Sequence, residues 1–333
     1  MVSNFFLRLA TAGLVALALP AHANHYSIVD LGSGVQGARL NVHADVAGSA
    51  LGRHAIAFRG KAWHLLFDGA NESVATAIND LAQVAGTVQT RTRDRAVLWG
   101  PGKVRVTVPM PAGGANGYPR AINNLGLVAG WHAATPAGIG RCFLYTPGSG
   151  SIDLGLMGEG LACYALGINE AGQVVGGAPV TRHGGEHAFL WQDGLFRDLG
   201  TLGGDLSEAA AIDEHGHVVG TSLVGKDKTL WHAFMWRDGA MKDLGTAPAY
   251  SSSYASGING HGEIVGYAAG TADGLYHAVR YEAGQAVELA SEVDAIDDWH
   301  LDFAYDVNER GVILGSGRRG DGYHTFLLVP QAD

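Results

Sequence analysis

A motif of about ten residues recurs along this chain at intervals of roughly 44, and a period of that length restricts the fold more than any other feature of the sequence. In its fullest form it reads Ala-Ile-Asn-x-x-Gly-x-Val-Val-Gly. Copies occupy residues 77–86, 121–130, 167–176, 211–220, 257–266 and 306–315, with a worn copy at 39–48. A second motif, His-Ala-Phe-Leu-Trp, follows in each unit, at 54–58, 95–99, 141–145, 187–191, 232–236, 277–281 and 324–328. A third, x-x-Asp-Leu-Gly, comes after a glycine-containing turn and is clearest at 196–200 and 241–245.

Each motif has a local physical meaning. The apolar run before Asn is a short strand, and Asn-x-x-Gly is a tight turn in which Asn bonds its own backbone and Gly takes the left-handed region. The x-Val-Val-Gly run is β-branched, and its Gly is expected to let another sheet approach closely. His-Ala-Phe-Leu-Trp is a third strand, and Asp193-Gly194 or Asp238-Gly239 signals a hairpin into a fourth. Four antiparallel strands in each repeat make a propeller blade. The seventh unit ends after its third strand, at about residue 329, while Tyr26 to Gly32 is an isolated copy of the missing fourth. The expected fold is therefore all-β: a seven-bladed β-propeller of four-stranded antiparallel blades, closed by the N-terminal strand completing the last blade. An open β-solenoid or sandwich array has no use for such an overlap.

The motif set resembles the bacterial extracellular-repeat family named for its His-Ala-Phe motif, the HAF repeat family. The likeness covers nearly all of residues 26–329 and is most specific over 168–204. Units one and two depart most, with Ala44 and Ala82 at the turn glycine and Arg95 in place of His. The resemblance implies an exported repeat protein and brings no catalytic residues with it.

Export is also expected from residues 1–23, which read as a Sec-type signal peptide: Arg8, an apolar run from Leu9 to Leu19, then Ala21-His22-Ala23 with cleavage after Ala23. That run is too short to span a membrane. Residues 24–333 then form one propeller domain, secreted or periplasmic and monomeric, without a membrane span. Cys142 and Cys163 would lie in an oxidising compartment, where a disulfide and two buried thiols are both open readings. With 22 Lys and Arg against 32 Asp and Glu, a nucleic-acid partner is not expected.

The repeated residues read as architecture. If Asp193-Gly194 is the turn, hairpin pairing sets His187 diagonally beside Asp198 on one face, and the same contact is available to His232 with Asp243, His277 with Glu288, Arg141 with Asp153, and His324 with Asp30. Imidazoles spread one per blade around a ring do not converge on a metal. The aromatic column Phe58, Trp99, Tyr145, Trp191, Trp236 and Tyr281 reads as packing between blades.

Function is expected where the repeat is broken, on the face carrying the fourth-to-first and second-to-third strand connections. Candidate ligand-binding residues there are Tyr118, Arg120, Trp131, His132, Tyr164, Tyr254, Trp299 and His300. These suit a binding or interaction module for a glycan, a small polar ligand, or an envelope or extracellular protein. The alternative is an exported polysaccharide lyase or hydrolase using Tyr118 or Tyr164 with His132 or His183, and Arg120 for a uronate carboxylate. No catalytic motif appears, and neither cofactor nor metal is expected. The acidic insertion 290–303, with Glu292, Asp294, Asp297, Asp298 and Asp302, reads as a solvated acidic loop, a Ca²⁺ site being the alternative.

Overall fold

Every copy of the repeat folds into one four-stranded antiparallel sheet, and seven sheets arranged as a ring give a seven-bladed β-propeller. The computed structural model describes residues 25–331 apart from 51–52, 67–70, 104, 136–137, 183, 226–228, 248, 271–273, 295, 297 and 321. Blades one to six span residues 35–65, 73–107, 116–153, 164–198, 203–243 and 252–288. Blade seven takes its first three strands from 299–330 and its outer strand from Tyr26–Ser33, which pairs antiparallel with Gly322–Pro330. That pairing closes the ring. Trp63 of blade one adds to it by donating its indole N–H to the Leu31 carbonyl at 2.8 Å. The proposed signal peptide lies outside the described residues.

The strand nearest the axis carries a bulge at the same place in every blade. Pairing with the second strand skips Ala38, Thr76, Arg120, Leu166, Ala210, Ser256 and Tyr305. This accounts for the last glycine of the repeat and corrects the sequence expectation for it. A Cβ on Gly48, Gly86, Gly130, Gly176, Gly220, Gly266 or Gly315 would lie 1.8–2.3 Å from a carbonyl oxygen of the bulged inner strand, so the close approach is within the blade, not from another sheet.

The turn asparagine does two jobs. Its Oδ1 accepts backbone N–H groups within its own turn, as from Leu125 and Leu127 to Asn123. Its Nδ2 donates to the backbone carbonyl of the matching residue one blade on: Asn41 to Asn79, Asn79 to Asn123, Asn123 to Asn169, Asn169 to Asp213, Asn259 to Asn308 and Asn308 to Asn41, at 2.9–3.1 Å. These six links run in one sense around the lower face. Blade five has Asp213 at this position, which has no N–H to give, so the step to Asn259 is absent.

Towards the upper face, a serine in each of three inner strands binds the third strand of the blade before. Ser73 Oγ accepts the Ala55 N–H, Ser207 Oγ that of Ala188, and Ser253 Oγ that of Ala233, all at 2.9–3.0 Å. Between blades three and four the same two positions hold Cys142 and Cys163, and these form a disulfide with Cα atoms 5.1 Å apart. The thiol alternative is thereby excluded. Between the blades lie apolar clusters: Phe143, Phe189, Phe234 and Phe326 from the His-Ala-Phe strand are fully buried, as is Trp99 of the aromatic column. Trp191, Trp236 and Tyr281 of that column are also buried, and Phe58 and Tyr145 half-buried, so the column is interblade packing.

Candidate functional site

The repeated polar residues are used up by the blade itself. His187 Nδ1 lies 3.0 Å from Asp198, His232 Nδ1 2.9 Å from Asp243, His324 Nδ1 3.0 Å from Asp30, and His277 Nδ1 3.7 Å from Glu288. Arg141 grips Asp153 through Nε and Nη2 at 2.6 and 2.9 Å. Each aspartate also accepts the N–H of the glycine two residues on, Gly32, Gly155, Gly200 or Gly245, which explains the spacing of Asp-Leu-Gly. Burial pushes the Asp30 carboxyl up, but hydrogen bonds from His324, Gly32 and Arg319 outweigh it and hold the net value below the ordinary carboxylate range.

The axis is different. Inner strands from six blades line a cavity of about 410 Å³, with Gln36, Arg39, Val74, Thr76, Arg120, Leu166, Ala210 and Tyr305 among its walls. Below it a space of about 160 Å³ is bounded by Leu40, Ile78, Ile122, Ile168, Ile212 and Ile258. The bulge matters here, because the skipped residue leaves the pleat and its side chain reaches the channel. Arg120 arrives in this way. Burial and the charge of Arg39 pull its guanidinium down from the ordinary value, Glu208 opposing them. Arg39 itself donates to the Tyr305 carbonyl at 3.3 Å and stands near the half-buried Asp306, whose carboxyl burial raises.

At the upper mouth, an inner-strand residue of blades three, four, five and seven meets a residue at the start of the third strand of the preceding blade. Tyr118 donates to Asp94 Oδ2 at 2.7 Å, and the Tyr164 ring covers Gly140, whose absent Cβ would sit 2.4 Å from it. Phe303 and Tyr276 are 4.9 Å apart between ring centroids. Between blades four and five the two residues are Glu208 and Glu186, a pair of like charges. Burial raises both carboxyls, and the charge of Glu208 raises Glu186 further. Arg120, Glu186 and Glu208 make no hydrogen bond or ion pair to a described residue.

Aromatic rings flank these charges on two sides. Tyr118 stacks on Trp131 at 3.9 Å, and Trp131 meets Tyr164 edge-on at 5.5 Å. Across the mouth Tyr254 stacks on Tyr267 at 4.5 Å, and Phe303 and Tyr305 continue the group. Of the residues expected from the sequence on this face, Tyr118, Arg120, Trp131, Tyr164 and Tyr254 stand around the mouth.

Three other candidates do not join them. Strand alternation puts His132 on the face of blade three opposite to Tyr118 and Trp131, since Gly117, not Tyr118, is its cross-strand partner. His132 is buried against Phe143, and its Nε2 is 3.4 Å from Asp153. Trp299 packs edge-on to Phe326 and His324 with Arg319 over its ring, and His300 Nε2 lies 2.9 Å from the Tyr276 carbonyl, so both serve as walls of blade seven. His183 and Asp297 lie outside the described residues. The described acids of the insertion are paired: Glu292 grips Arg280 at 2.6 Å, Asp302 pairs with Arg318 at 3.0 Å, Asp298 with Arg319 at 3.1 Å and Asp294 with His25 at 3.2 Å.

Two features escaped the sequence reading. Glu186 and Glu208 come together only because one inner strand meets a third strand of the blade before, a distance of 22 residues along the chain that no motif marks. The turn Asp213-Glu214-His215-Gly216-His217 was visible as a departure from Asn-x-x-Gly, and it places three metal-ligand atoms within 4.8 Å of one another.

No protein-family model matches the chain, and no curated protein matches it in sequence. Solved structures do. One described as YCF48 bound to D1 peptide superposes with a TM-score of 0.56 at 12% identity, covering 95% of this chain and 97% of that one. A streptogramin B lyase gives 0.53 at 10% identity over 91% and 98% of the two chains. The propeller domain of the Trilobed protease from Pyrococcus furiosus, described as having an open velcro topology in contrast to the strand-closed ring here, gives 0.54 at 11% over 79% and 85%. At such identities the likeness is one of fold: the chain is a β-propeller.

Proposed function

We propose that the protein is a binding module whose upper channel mouth takes a glycan. The observation that carries this is the trio Arg120, Glu186 and Glu208 at the channel mouth, Arg120 and Glu208 exposed and Glu186 half-buried, which make no hydrogen bond or ion pair to a described residue. Their hydrogen-bonding capacity is open to a ligand that brings hydroxyl donors to the carboxylates and acceptors to the guanidinium. Sugar rings offer both, together with C–H faces for the Tyr118–Trp131 stack and for Tyr254. A uronate fits best, its carboxylate on Arg120. His132 points away from Tyr118, which leaves the lyase reading only His183, outside the described residues, as its histidine.

The disulfide supports the further reading of an exported protein, since such bonds persist in oxidising compartments, and the repeat set supports placing it among the HAF repeat proteins. No helix among the described residues is long and apolar enough to cross a membrane.

The test is a thermal-shift panel of neutral and uronate oligosaccharides, with peptides as the competing arm suggested by the fold neighbour bound to a peptide. Uronates are expected to raise the Tm of the wild type and to leave an Arg120→Ala, Glu208→Gln variant unmoved. A panel without a shift, or a shift that survives both substitutions, would overturn the assignment.

A further inference from the structure

We propose a transition-metal site on the lower face, at the seam between blades five and six, formed by Asp213, His215 and His217. It is separate from the channel mouth and does not depend on what binds there.

The argument begins with the residue that interrupts the asparagine ring. Six blades have Asn at this turn and blade five has Asp213, whose side chain is wholly buried. Its Oδ1 keeps the local role, accepting the N–H groups of His215 and His217 at 2.9 and 2.8 Å. Its Oδ2 takes the place of the amide nitrogen. In other blades that nitrogen faces an acceptor four residues on: Asp45, Gln83, Gln173 or Glu263. Blade five reverses both partners, with Asp213 accepting and His217 Nδ1 at 2.8 Å.

That exchange alone would make a satisfied turn, but it does not account for His215. Its ring lies beside that of His217, centroids 5.7 Å apart and planes inclined by 23°, with Nδ1 3.7 Å from the same Asp213 oxygen. Zn²⁺ with bonds of about 2.0–2.1 Å separates adjacent tetrahedral ligands by about 3.3 Å, and the donor separations here bracket that value. One carboxylate oxygen and two imidazoles are a donor set for Zn²⁺, Co²⁺ or Cu²⁺ more than for Ca²⁺. His217 is partly exposed and His215 largely so, which leaves an entry path and a coordination position open to water. The field is favourable: Glu214, whose Oε2 accepts the Glu170 N–H, and Glu309, whose Oε1 accepts the Gly260 N–H, add negative charge to this face. The seam also has the most to gain. Asn259 receives no carboxamide from blade five, and Gly260 has no side chain with which to take the Glu214 N–H, the contact that Asp80, Asn124, Glu170, Glu214 and Glu309 make elsewhere.

The ring itself supplies the control. Asp213→Asn with His217→Gln writes into blade five the pair that blades two and four already use, Asn79 with Gln83 and Asn169 with Gln173. This variant should fold at least as well as the wild type while lacking two ligands. The experiment is calorimetric titration of the untagged, chelator-treated protein with Zn²⁺, and with Co²⁺ followed by its visible absorption. The expected result is one ion per wild-type chain, the d–d bands of a low-coordinate site, a higher Tm with Zn²⁺, and loss of all three in D213N/H217Q. A wild type that takes up no Zn²⁺, or a well-folded variant that binds with unchanged stoichiometry and affinity, would overturn the proposal.

Discussion

His132 shows how a single residue's burial becomes a property of the whole protein. Burial pulls its imidazole below the ordinary value, Asp153 resisting and Arg141 adding to it. The unfolded chain takes up this proton near pH 6.5 and the folded chain only at lower pH. The stability at stake is therefore complete above about pH 6.5 and is lost as pH falls below it. Raised carboxyls at Glu186 and Glu208 act with the opposite sign, so the informative quantity is a difference. His132→Phe should flatten the fall in Tm between pH 7 and pH 5 relative to the wild type, measured by calorimetry. Parallel curves for the two proteins would contradict this. Residues of this kind also mark the limit of what could be read from the sequence. The His187–Asp198 contact follows from counting across one hairpin, because both lie on strands joined by a two-residue turn. The turn of Arg120 into the channel depends on a bulge, and nothing in residue type announces where a strand will skip a position.

At the level of elements, one kind of link is made in two chemistries. A serine of one blade accepts the N–H of the alanine in the His-Ala-Phe strand before it, and between blades three and four both residues are cysteine. Closing a loop of 21 residues is worth about 3 kcal/mol in the chain-entropy account. Reduction should therefore lower Tm by several degrees, monitored by circular dichroism with and without a thiol. Cys142→Ala with Cys163→Ser rebuilds the serine link and should recover part of the loss. A Tm indifferent to reduction would mean that the staple only repeats what packing already achieves. Strand identity and order were legible because each blade restates them. The disulfide was not, since spacing alone says nothing of how two neighbouring blades face one another.

For the molecule as a whole, closure rests on Tyr26–Ser33. Without it Gly322–Pro330 becomes a bare edge, His324 loses Asp30 and Trp63 loses the Leu31 carbonyl. A chain lacking residues 26–33 should associate through that edge, visible as larger species by size-exclusion chromatography with light scattering. An unchanged elution with an unchanged Tm would show that the blades hold without their clasp. The overlap of first and last units made this closure readable from the sequence alone. The lower face carries a second circle, and its mechanics differ. Six side-chain links in one sense, with none from Asp213 to Asn259, form a hoop with a gap. A gapped hoop carries no tension across its opening, so blades five and six can lean apart while every other link stays whole. Thermal breathing is then concentrated at one joint far along the chain from either end, and the amide protons of the 213–217 turn should be the first of the seven turns to exchange with solvent.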